Sequence, residues 1–186
     1  MIIILNHIGI KMNEKKIEKI FQNSACRNEL FDAFSEAIKS GIRNTELYKI
    51  LLANPALSPD ELEMYSKELV KNLKGNEYDF YLWTGQIFEM GIAGVSAHDK
   101  AFDYYCKASL INPTNEEPLV KILRLYNYDY HYAINNSIEE IVEKRVQFVN
   151  KKSIIFSLLA DHFKARGDML KSTEYRALAE LSASRE

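Results

Sequence analysis

Apolar residues recur at three- and four-residue spacing along most of the chain, and the polar breaks fall between those stripes. Ile17, Ile20 and Phe21 mark a first helical face after Asn13. Leu30, Phe31, Phe34 and Ile38 mark a second, which stops at Gly41, a residue suited to the left-handed turn that closes a helix. Thr45 caps a short segment over 46–53, ended by Asn54-Pro55. Ser58-Pro59-Asp60-Glu61 is the densest start signal. Ser58 can accept from the amide three residues on, Pro59 suits the first helical position, and Glu61 completes a capping box. The helix it opens carries Leu62, Tyr65, Leu69, Val70 and Leu73 on one face and stops before Gly75.

From there the rhythm becomes regular. The spacing predicts a helix over 78–90 with Trp83, Ile87 and Phe88 inward, and another over 99–111 ending before Asn112-Pro113. Thr114-x-x-Glu117 reads as a second capping box, with Pro118 early in a helix that reaches 126. Ser137-x-x-Glu140 reads as a third, opening a helix to 149. The last pair covers 153–165, turns at Gly167-Asp168 and returns to 183. No stretch combines period-two alternation with hairpin turns, so the chain reads as all-α, in antiparallel helical pairs with short connections.

Aligning the pairs gives a period in the mid-thirties, over 77–111, 114–149 and 151–184. The most specific residues are Gly85-x-x-Phe88-x-x-Gly91, then Gly94-Val95, Asp99, Lys100-Ala101, Tyr104-Tyr105 and Lys107-Ala108. This segment resembles a Sel1-like repeat, a branch of the tetratricopeptide superfamily. Gly94-Val95 falls one residue late, and Ser109 replaces a second Ala. Ala101-x3-Tyr105-x2-Ala108-x4-Pro113 also fits the plain tetratricopeptide pattern. The last pair is similar through Leu159-Ala160-x-x-Phe163-x3-Gly167-Asp168, Glu174, Leu178 and Ala179, with Ser172 where a small Ala is usual. The middle pair matches in helix length and apolar spacing alone, and residues 1–75 match no such pattern.

The resemblance implies a right-handed α-α superhelix of about four helical hairpins, in which stacked neighbours make the core. Residues 1–75 would be an N-terminal helical cap and 76–186 the repeat array of one continuous domain. In that family the first helix of each pair lines a concave surface. Here it would present Gln86, Glu89, Arg124, Asn127, Asp161 and Lys164. That set is polar and mixed in charge, which suits an extended peptide or helix of a protein partner. The leading expectation is therefore a scaffold, adaptor or chaperone-like interaction module without enzymatic activity. The second is a structural or regulatory subunit of a larger assembly or homodimer, and an enzyme stands a distant third, because residues 1–75 are unassigned.

Composition narrows the classes further. The 186 residues carry a net charge of −2 and a pI of about 6.1. Residues 76–113 hold two basic and five acidic side chains, and 137–186 hold nine and eight. No stretch concentrates enough positive charge for a nucleic-acid or anionic-membrane partner. Seven glycines and four prolines are too few for a turn-rich β-protein or a disordered linker. Cys26 and Cys106 are isolated thiols, which predicts a reducing, cytoplasmic setting without a disulfide framework. MIIILNHIGI is apolar but short, lacks a basic n-region, and is too short to span a bilayer. Residues 1–11 read either as an extension upstream of a start at Met12 or as a short strand or flap.

Candidate chemistry is sparse. No phosphate-binding loop, dinucleotide fingerprint, H-E-x-x-H or G-x-S-x-G is present, and His7, His98, His131 and His162 are too widely spaced for a local metal motif. No catalytic, cofactor-binding or metal residue is assigned, and no cofactor is expected. Asp161 and His162 are helical neighbours pointing about 100° apart, so one faces solvent and the other packs. Cys106 beside Lys107 reads as a packed thiol or a reactive one. Tyr126, Tyr128, Tyr130 and Tyr132 alternate through the longest connection of the repeat region. Tyrosine offers rigid contact area with a polar tip. Tyr128 and Tyr130 are therefore candidate contacts, and the alternative is that the rings seal a degenerate repeat.

Overall fold

The computed structural model describes residues 13–91, 95–129 and 133–186. Among them the regular elements are all helical and none is a strand. The chain divides into two compact units, Met1–Leu73 and Lys74–Glu186. The segment 1–11, with its two sequence readings, lies outside the described residues.

The first unit holds α1 (Glu14–Asn23), α2 (Arg27–Lys39), α3 (Thr45–Leu52) and α4 (Pro59–Asn72). Helix α1 packs on α2 and α3, and α3 on α4. Ile17, Phe21, Leu30, Phe34, Tyr48, Leu51, Leu62, Tyr65 and Leu69 form its core. Phe34 sits edge-on to Tyr65 at 4.9 Å and to Tyr48 at 6.2 Å between ring centres, the favoured arrangement of aromatic quadrupoles. Tyr48 gives its hydroxyl to the Ile42 carbonyl at 2.9 Å, and burial, with Glu14 second, pushes its pKa up to about 12. Buried Asn54 donates to the carbonyls of Phe21 and Ser24 at 2.8 and 3.0 Å and accepts from the Ala56 amide. It thereby pins the exposed end of α1 to the end of α3.

Two local expectations for this unit need correction. Phe31 is half exposed, because Leu30, Ala33, Phe34 and Ala37 supply the inner stripe of α2. Asn44, not Thr45, caps α3, accepting from the Glu46 amide at 3.1 Å. Ser58 does open α4 with a reciprocal capping box: Ser58 accepts from the Glu61 amide, and Glu61 accepts from the Ser58 amide. Gly41 has φ of 71°, and its amide and that of Ile42 bond back to Ile38 and Ala37, closing α2.

The second unit holds α5 (Glu77–Gly91), α6 (Val95–Ile111), α7 (Glu117–Arg124), α8 (Ile134–Arg145), a 3₁₀ turn (Val146–Phe148), α9 (Lys152–Ala165) and α10 (Met169–Ala183). Helices α5 and α6 pair, as do α9 and α10, and α7 packs against α6, α8 and α9. Phe88, Ala101, Tyr104, Tyr105, Ala108, Ile122, Ile138, Val142, Leu159 and Phe163 are buried. Ser172 fits a small-residue position by donating its hydroxyl to the Ala160 carbonyl at 2.8 Å.

Helix starts are where sequence and structure part here. Ser137 lies inside α8, which begins at Ile134 with no side-chain cap. The earlier start adds buried Asn135 to the face of Ile138 and Val142, where it holds the Asn127 backbone. Thr114 bonds Asn112, and it is Asn115 that accepts from the Glu117 amide at the mouth of α7. Trp83 and Ile87 are half-buried, and Leu178 is exposed. Among the described residues no helix is long and apolar enough to cross a membrane.

Candidate binding pocket

Tyr126 and Tyr128 follow α7 in the chain, and helices α7 and α9 pack against each other. Between them is a pocket of about 350 Å³ lined by Val120, Leu123, Arg124, Tyr126, Tyr128, Leu158, Asp161, His162 and Ala165. The spacing explains the lining: 120, 123 and 124 fall on one stripe of α7, and 158, 161, 162 and 165 on one stripe of α9.

Two of the lining groups, Tyr128 and His162, belong to a relay of four side chains that continues behind the pocket. Tyr128 and His162 Nδ1 are 2.8 Å apart, His162 Nε2 and Glu139 Oε1 are 2.9 Å apart, and Arg166 donates to the same Glu139 oxygen. Glu139 can only accept, so Nε2 carries the hydrogen and Nδ1 accepts from the Tyr128 hydroxyl. Burial lowers the His162 pKa against the opposing pull of Glu139, which keeps the ring neutral at pH 7 and preserves this tautomer. The Tyr126 ring stands edge-on to His162 at 4.5 Å and contacts Tyr128 at 4.9 Å, with the Arg166 guanidinium 5.9 Å from its centre. The Tyr128 pKa is raised, by burial first and then by Tyr126 and Glu139. Its hydroxyl therefore stays protonated and donates a hydrogen bond to His162 Nδ1, which leaves its oxygen lone pairs to accept from a ligand. Tyr128 is an acceptor here.

The other two polar groups differ in freedom. Asp161 is bridged to Arg176 at 2.6 Å at the exposed rim. Arg124 is exposed and has no ion pair among the described residues.

Of the residues singled out from sequence, the pocket brings together Arg124, Tyr128 and Asp161. Gln86 and Glu89 belong to α5 and do not line it. Glu89 accepts from the Tyr105 hydroxyl and lies 3.8 Å from Lys121, which links α5 to α7. Lys164 is exposed on α9 and lines no part of it. Asn127 shapes the segment: its amide and carbonyl are held by Asn135, and its side chain accepts from the Asp129 amide at 2.9 Å. Tyr130 lies outside the described residues.

The link from Tyr128 through His162 to Glu139 has no signal in the sequence. Asp161 faces solvent and His162 packs, as the 100° separation requires, but the tyrosine it binds is 34 residues away. Among the described residues no group of three or more His, Cys, Asp or Glu could hold a metal ion. No protein-family model, curated protein or solved structure matches the chain.

Proposed function

We infer that the chain is a protein-interaction module that holds a peptide or helix of a partner across α7 and α9. It is read as a tetratricopeptide-like array in which those helices are first members of successive pairs. The observation that carries this reading is the pocket that gathers Arg124, Tyr128 and Asp161 onto one apolar-floored recess. Apolar walls with a few fixed polar groups are the usual build of a recognition site, and a tyrosine locked by buried partners contributes contact area at low entropic cost. Because Tyr128 Oη is an acceptor, the recess favours a partner group that donates, such as a peptide N–H, with Arg124 taking a nearby carboxylate or carbonyl.

The test is selection of peptides from a random displayed library on the immobilised chain, followed by affinity measurement with Arg124→Ala and Tyr128→Phe. Weaker binding by both variants is expected, about tenfold or more where a charged hydrogen bond is lost. Selected peptides that bind wild type and both variants alike would remove the α7–α9 pocket from consideration. Asn127 is not a useful probe, since its substitution would loosen the segment that places Tyr128.

A second reading, docking into a larger assembly, draws on the outer face of α10, where Leu170, Leu178 and Leu181 are exposed. A concentration-dependent sedimentation coefficient that Leu178→Glu abolishes would favour it.

A further inference from the structure

A second pocket of the same unit, about 290 Å³, lies where the end of α6 meets α7 and the 3₁₀ turn. Leu110, Pro113, Leu119 and Phe148 make its walls apolar, and Ser109 and Arg145 are its polar groups. Leu110 and Phe148 are 66% and 56% exposed, so the recess opens to solvent between two bare apolar side chains.

Arg145 is the unusual member. It is half-buried, and one guanidinium nitrogen, Nη1, donates to the Cys106 carbonyl at 3.0 Å and to the Ser109 hydroxyl oxygen. The Ser109 hydroxyl donates in turn to that carbonyl at 2.9 Å. No carboxylate forms an ion pair with Arg145 among the described residues. Its charge is met by neutral acceptors, the Cys106 carbonyl near the end of α6 and the Ser109 hydroxyl. The Nε and Nη2 hydrogens of the fork have no protein acceptor among the described residues. A partly desolvated cation with free donors, set in an apolar recess, is complementary to an anion with an apolar body. Among anions, a carboxylate matches the planar fork two bonds at a time.

We propose that this pocket binds a small monocarboxylate with an apolar chain, its carboxylate on Arg145 and its chain against Leu110, Pro113, Leu119 and Phe148. The volume is at the low end of small-molecule sites, which run from about 300 Å³ upward, so the chain is of medium length. The proposal uses a pocket separate from the α7–α9 recess and stands whether or not the peptide-binding reading holds.

The experiment is a titration of the full chain with octanoate, octanol and octylamine, followed by amide chemical shifts and calorimetry. Octanoate is expected to saturate, with shifts centred on the amides of Ser109, Leu110, Leu119 and Phe148. Octanol and octylamine should bind at least about tenfold more weakly, the value of a hydrogen bond to a charged group. Arg145→Gln should erase the preference for octanoate over octanol. Because it also removes bonds to α6, Phe148→Ala serves beside it: that exposed side chain can be cut without touching the core, and octanoate should again weaken severalfold. Equal affinity for octanol and octanoate, shifts centred elsewhere, or an unchanged Phe148→Ala titration would overturn the proposal. A leucine-ended tetrapeptide with a free carboxylate that outcompetes octanoate tenfold would also overturn it, in favour of a protein terminus as occupant.

Discussion

A β-carbon built on Gly85 of α5 would lie 2.6 Å from Cε1 and 2.7 Å from Cδ1 of Tyr105 on α6. Tyr105 is fully buried and its hydroxyl is tied to Glu89, so the ring has little room to retreat. Two terms compete in Gly85→Ala. Alanine gains about 1 kcal/mol of helix propensity, and overpacking costs about 1–3 kcal/mol. A net loss of up to about 2 kcal/mol is expected, and about 3 kcal/mol for Gly85→Leu. Tyr105→Leu in the same chain should relieve the Gly85→Ala strain, giving a coupling of about 1 kcal/mol or more. Urea denaturation followed through Trp83 fluorescence checks this, and a Gly85→Leu chain as stable as wild type would contradict the packing.

The His162 relay should make the second unit acid-sensitive. Its folded pKa is below the unfolded value, so the stabilisation is full above about 6.5 and falls as pH drops through the folded pKa. The charged and titratable groups around it are Glu139, Glu143, Arg166 and Tyr128, and Glu139 and Glu143 oppose the shift. Trp83 lies in this unit, so its fluorescence-detected melting temperature should decline as pH falls from 7 towards 5. In His162→Phe the decline over this interval should flatten. A slope identical in the two chains would refute the assignment.

The capping box of α4 acts in a lower window. Hydrogen bonds from the Ser58 side chain and then its amide, with Arg27 adding a little, lower the Glu61 pKa. Its contribution is complete above the unfolded value near 4.5 and disappears as pH falls through the folded one. Ser58→Ala should cost about 0.5–2 kcal/mol at pH 7. The loss should shrink in acid, because protonated Glu61 no longer serves the box. Hydrogen exchange at the amides of Ser58 and Glu61 localises the effect.

The two thiols should separate cleanly. Cys26 is exposed. Cys106 is pushed up to about 11 by burial, against the pull of Arg145. At neutral pH that leaves about a hundredfold less thiolate than an ordinary cysteine, and thiolate is the reacting form. A disulfide reagent should modify one thiol quickly and the second only on unfolding. Rapid modification of both in the native chain, with Cys26→Ser as control, would show Cys106 to be reactive.

Local structure is legible in the sequence. The 3.6-residue stripes gave the helical class. The Ser58–Glu61 box gave the start of α4, and Gly41 and Gly167 gave the ends of α2 and α9, because caps and left-handed closures involve residues a few positions apart. The same local signals at Thr114 and Ser137 misplaced two helix starts. An S/T-x-x-E pattern gains at most about 1–2 kcal/mol, and at Ser137 it yields to an earlier start that buries Asn135 with both its bonds to Asn127 made. Arg124, Tyr128 and Asp161 were legible as polar positions on predicted elements. That they share a recess follows from packing between distant segments: Tyr128 meets His162 across 34 residues and His162 meets Glu139 across 23. Arg145 likewise reaches Cys106 across 39. A lone histidine or arginine in a sequence carries no sign of its partner, since hydrogen bonds and ion pairs depend on distance in space. Periodicity fixes which face of a helix is buried, and packing alone chooses what that face meets.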